Sequence, residues 1–155
     1  MITEDYVSFE TAKLLKEKGF YQDFLSEITP VWKLNGNRTE LAFYGCDNYP
    51  WETDEWYSAP TLQMVTNWLE EVHHILVIPD YIYECTDTSW VYKTYRLGEN
   101  GKPERCVVKG VSYDDGNNPT EHIVGYRDYE LSGQEYTTRT EAVEEGIKYC
   151  LENLI

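Results

Sequence analysis

A chain of 155 residues, 41% of them apolar and 15% aromatic, is the size of one domain and can fill one core, which excludes a disordered chain. Its 28 acidic residues outnumber 13 basic ones, and the net charge of −15 repels phosphate backbones, which argues against direct nucleic-acid binding. Apolar runs such as Ile75 to Ile78 fall far short of the ~20 residues of a membrane span, and the opening MITEDYVSFE lacks the apolar core of a secretory signal. The expectation is a cytoplasmic protein with a single domain over residues 1–155 and no membrane association.

In chain order, the first predicted element is a helix over 8-SFETAKLLKEKGF-20. Ser8 can cap it, Phe9, Ala12, Leu14 and Leu15 give it an apolar stripe, and Gly19 can take the left-handed stop. Residues 20–57 carry weaker signals, with a strand expected near 40-ELAFYG-45 after the Asn35-Gly36-Asn37 turn. A second helix is expected from a Ser58 N-cap to about His73, with Pro60 in its first turn and Leu62, Val65, Leu69 and Val72 facing the core. In that register Tyr57 precedes the cap and Leu62 stands at the fourth position, the spacing of a hydrophobic staple.

Strand signals then dominate. Segments 75–85 and 89–97 are rich in β-branched and aromatic residues and read as a hairpin, with Pro79 marking an edge or a bulge. Segments 104–113 and 121–131 read as a third and a fourth strand around the turn 114-DDGNNP-119. A closing helix is expected after Thr138, which has capping-box spacing to Glu141 and precedes the stripe Ala142, Val143, Gly146, Ile147, Cys150, Leu151 and Leu154. The predicted fold class is α+β: an antiparallel meander of three to four strands with about three helices packed on one face.

Several residue sets invite chemical readings. Glu70 and His74 are one helical turn apart, but two ligands do not make a metal site, so no metal or other cofactor is expected. The Asp114–Glu121 run has calcium-loop composition without EF-hand spacing. Cys106 and His122 could serve as nucleophile and base only if the fold brought them together, and neither sits in a recognisable catalytic motif. Cys46, Cys85, Cys106 and Cys150 form no C-x-x-C pair and read as reduced thiols. The order helix, three strands, helix is also that of double-stranded-RNA-binding domains, but the start of the last helix, 138-TRTEAVEEG-146, is net negative. No catalytic motif is visible, and a non-enzymatic protein is expected.

The most distinctive stretch is 51-WETDEWY-57. Between Arg38 and Lys93 the sequence has no Lys or Arg, while Trp51 and Trp56 flank Asp54 and Glu55. Acidic groups that steer a partner, beside aromatic rings that anchor it, suit a protein-binding surface. Trp51, Asp54, Glu55 and Trp56 are therefore the candidate binding residues. The expected partner is a basic protein, in the sharper version one whose nucleic-acid site is occupied by a DNA mimic. The alternative is a small-molecule or carbohydrate-binding domain that stacks its ligand on the same Trp rings.

Three segments, 8-SFETAKLLKEKGF-20, 57-YSAPTLQMVTNWLEEVHHI-75 and 141-EAVEEGIKYCLENLI-155, resemble small proteins of unknown function in prophages and mobile elements of Bacteroides-type gut bacteria. The resemblance covers about a third of the chain, and its most specific part is the YSAPT entry into the second helix. It implies a cytoplasmic accessory protein of a mobile element and assigns no functional residue; the basic partner expected from the acidic stretch is then a host or element protein.

Overall fold

The structure is a computed structural model that describes residues 5–20, 28–35, 38–45, 56–83 and 88–155. Among the described residues, three helices and eight strands in antiparallel sheets make an α+β fold.

Helix α1 (Phe9–Glu17) starts where the sequence places it. The Ser8 side chain accepts from the Thr11 N–H, and Gly19 takes φ +78° just past the C-cap. The start is reinforced from outside the helix. Glu144 Oε1 accepts from the Ser8 N–H at 2.6 Å and from the Thr11 hydroxyl at 2.7 Å, and Thr11 is wholly buried. A carboxylate from another helix thus satisfies donors that α1 cannot satisfy itself.

Strands β1 (Ile28–Asn35), β2 (Arg38–Gly45) and β3 (Trp56–Ser58) form a sheet in the order β2-β1-β3. Of these only β2 is legible in the sequence. Pro30 disguises β1, because proline is rarely found in a central strand. It is accommodated since its carbonyl accepts from Ala59 just beyond the short β3, where the ladder ends and no proline N–H is needed.

Pairing of β3 with β1 also corrects the start of the second helix. Ser58 lies opposite Val31 and is held extended, so it is not the N-cap. The cap is Thr61, whose side chain accepts from Met64 N, and α2 runs Leu62–His73. Pro60 disfavours helical backbone at Ala59, which delays the helix further. Tyr57 is consequently not a staple residue. Its ring meets Phe9 edge-on at 5.1 Å and lies under Lys16 Nζ at 4.8 Å. The far end agrees with expectation, His74 closing α2 in the left-handed region at φ 56°.

The expected meander divides in two. Strands β4 (Ile75–Tyr83) and β5 (Thr88–Arg96) form the predicted hairpin, with Pro79 on the edge strand β4. Strands β6 (Cys106–Tyr113) and β7 (Pro119–Arg127) do not extend that sheet, and among the described strands they pair only with each other. The predicted fourth strand breaks after Arg127, and its last two residues become β8 (Glu130–Leu131), which pairs with β5 at Lys93 and Thr94. Each described sheet thus has at most three strands.

Helix α3 (Arg139–Asn153) has the predicted capping box between Thr138 and Glu141, and its predicted stripe from Ala142 to Leu151 is buried. It packs with α2 against β4 and β5, while α1 packs on α3 and β3. The core between them includes Val7, Leu15, Val65, Leu69, Ile147 and Leu151. Each such side chain contributes roughly 1.5–3 kcal/mol of burial. Gly146 lets α3 approach the sheet closely: a Cβ there would stand 2.6 Å from Val77 Cγ1 and 3.0 Å from Tyr92 Cγ.

Candidate interaction surface

Trp51, Asp54 and Glu55 lie outside the described residues. Trp56 opens β3, half-buried, opposite Lys33 of β1. Lys33 Nζ sits 4.9 Å from the centre of its ring, and Lys16 Nζ donates to its carbonyl at 3.4 Å. Around Trp56 the absence of basic residues is therefore a property of the sequence and not of the surface. Helix α1 and strand β1 bring two lysines onto it, and a ring face engaged by an ammonium group is less available to a ligand.

The other aromatic, titratable and thiol groups have structural roles. Trp68 packs edge-on against Phe20 and His73 in the wall of the core. Burial, and secondarily the neighbouring His74, holds the His73 pKa below 6.5. Among the described residues no three His, Cys, Asp or Glu side chains gather as metal ligands. Asp114 Oδ1 accepts from the Gly116 and Asn118 N–H groups, and the Asn118 bonds lower its pKa, so it closes the β6–β7 turn. Cys106 pairs with Arg127 and His122 with Gly110, four positions along β6, which is roughly 13 Å at strand rise and too far for a nucleophile and its base. Cys106 and Cys150 are free thiols, and burial pushes Cys150 up to about 12, so it is inert packing. Cys46 and Cys85 lie outside the described residues.

Two concave regions stand out. A groove of about 600 Å³ runs between α2, β4 and the start of α3, over an apolar floor that includes Leu76 and Val143. A shallower one of about 460 Å³ is lined by Tyr92, Tyr136 and Tyr149, where Tyr149 donates to Glu130 at 2.6 Å. Neither gathers a nucleophile, a base and an oxyanion donor of the kind catalysis needs.

The most unusual surface lies on a hairpin whose sequence predicts ordinary sheet. In the β6–β7 hairpin, paired residues share a face, so Val107, Lys109, Val111 and Tyr113 of β6 stand with Tyr126, Ile123, Glu121 and Pro119 of β7. Along β6 these odd positions are exposed while Cys106, Val108 and Gly110 between them are half-buried. Neither face of the hairpin is turned to the core, since Thr120, His122 and Val124 on the opposite face of β7 are exposed as well, but this face gathers more of the large apolar side chains. Val107, Val111, Tyr113, Ile123 and Tyr126 are each between 48% and 64% exposed. On that face Lys109 Nζ and Glu121 Oε2 form an ion pair at 3.2 Å. A bulge at Val124 places this extra residue over Gly110 on the opposite face, where a Cβ at Gly110 would come within 2.6 Å of it.

The sequence signal for this surface was present but ambiguous. Alternating Val107, Val111 and Tyr113 marks an amphipathic strand, but periodicity alone does not say whether the apolar side faces the core or the solvent. Compared with known proteins, the chain matches no family model, no curated protein and no solved structure. No described helix is long and apolar enough to cross a membrane.

Proposed function

We propose that this protein acts by binding another protein, with the outward apolar face of the β6–β7 hairpin as its docking surface. The observation that carries the reading is that the β6–β7 hairpin exposes five large apolar side chains on one face. Contiguous exposed apolar surface rimmed by polar groups is characteristic of interaction sites. The net charge of −15 steers basic proteins toward the molecule and repels nucleic acids. In the sharper form, the acidic Asp54–Glu55 segment occupies the nucleic-acid site of such a basic partner. The likeness of the three helices to small proteins of mobile elements fits an accessory role, with the cytoplasm as the working compartment.

The test compares immobilised wild-type protein with a Val111→Lys/Ile123→Lys variant in capturing proteins from a bacterial lysate. Proteins retained by the wild type and lost from the variant support docking through this face. Equal retention by both refutes it, and so does retention by neither from a chain that also fails to self-associate through this face.

A further inference from the structure

Resting on the docking reading of the β6–β7 face, we infer that its occupant is a second copy of this chain. Area is the first argument. Two tyrosines and three aliphatic side chains at these exposures present on the order of 500 Å² of apolar surface. That lies toward the upper end of the roughly 300–600 Å² found for the largest apolar patch on a typical monomer. With Pro119 and the aliphatic stems of Lys109 and Glu121 added, the face approaches the ~800 Å² per partner of a stable interface.

Charge is the second argument. Two chains at −15 each repel overall, so a self-interface must lie where the charge is balanced. Residues 104–127 carry Glu104, Asp114, Asp115 and Glu121 against Arg105, Lys109 and Arg127, four acids to three bases. The apolar face itself holds only Lys109 and Glu121, already paired and neutral. A strongly basic partner finds no charge to match there, and a second copy meets no repulsion there.

Symmetry is the third. A twofold axis running along the strands, between two stacked faces, lays β6 of one subunit over β7 of the other. Val107 then meets the partner's Tyr126, the Lys109 stem covers the partner's Ile123, and its ammonium reaches the partner's Glu121. Both copies make the same contacts, as an isologous interface requires. Stacking also turns a two-stranded hairpin, which is marginal by itself, into half of a sandwich with an apolar interior.

Sedimentation velocity of the full chain up to about 200 μM, at low and moderate salt, tests the inference. A concentration-dependent dimer is expected, and it tightens as salt rises because screening relieves the repulsion between copies. That sign is opposite to the one for an acidic protein holding a basic partner. Val111→Lys/Ile123→Lys, repeated on both sides of the axis, should weaken association by at least about a hundredfold. At concentrations where wild type and variant are both monomeric, far-ultraviolet dichroism and melting temperature should coincide, since both positions are more than half exposed. Tyr126→Lys provides a second variant with the same expectation. A wild-type chain that stays monomeric, or a dimer indifferent to these substitutions, overturns the inference. A monomer whose capture of other proteins still depends on Val111 and Ile123 overturns the second copy while keeping the docking face, and a monomer without that dependence overturns both.

Discussion

Replacing Gly146 with alanine separates two physical effects of opposite sign. In an exposed helix interior the change stabilises by about 1 kcal/mol, because alanine loses less backbone entropy than glycine. Here α3 lies against β4 and β5, and the new methyl would stand 2.6 Å from Val77 Cγ1, 3.0 Å from Tyr92 Cγ and 3.2 Å from Tyr92 Cβ. Carbon atoms in contact prefer about 3.5–4.0 Å, so something must give by roughly 1 Å. Tyr92 has little room, its ring being set between Tyr136 at 6.0 Å and Tyr149 at 6.1 Å. Val77 is opposite Thr94 in the middle of the β4–β5 ladder and buried.

Overpacking of this kind costs about 1–3 kcal/mol, and the nearness of two fixed partners puts Gly146→Ala at or above the upper end. After the helix-propensity gain, a net loss of about 2 kcal/mol remains, or roughly 4–8 °C in melting temperature for a chain of this size. Thermal denaturation followed by circular dichroism measures it. Val77→Ala removes the nearest obstruction, so Gly146→Ala should cost less in that background, and the difference is the coupling between the two sites. A melting temperature that holds or rises in the single variant would refute the argument that close packing is why glycine stands there.

Two further predictions concern the helix ends. Glu144→Ala removes the shared acceptor of the Ser8 N–H and the buried Thr11 hydroxyl, so urea unfolding should show a loss of about 1.5–3 kcal/mol, with Glu144→Gln losing less because it keeps an acceptor oxygen. A variant as stable as the wild type would mean that water replaces the carboxylate at no cost. At the end of α2, the folded state holds His73 below 6.5, so the unfolded chain binds the extra proton first as pH falls. The His73 contribution is present above pH 6.5 and is lost as pH falls from there through the folded-state pKa. Melting temperatures at pH 7.5 and 5.5 should therefore differ more in the wild type than in His73→Gln, and equal differences would exclude a role for its burial.

Local signals in the sequence determined the helices. Ser8 and Gly19 bound α1, and the Thr138–Glu141 capping box with its apolar stripe defines α3, because caps and 3.6-residue periodicity depend only on neighbours a turn away. Hairpin pairing of β4 with β5 and of β6 with β7 was legible for the same reason, each pair being joined across a short stretch of chain. Partners distant in sequence decided the rest. Strand β3 exists because residues 56–58 meet β1, and that pairing moved the start of α2 from Ser58 to Thr61. The lysines beside Trp56 come from α1 and β1, and the acceptor that completes the α1 start comes from α3.

The docking face shows the division most clearly. The sequence carries Val107, Val111 and Tyr113 at odd positions of one expected strand. Only the tertiary structure decided that this side is left bare, because a strand carries the same period-two pattern whether its apolar face is covered or bare.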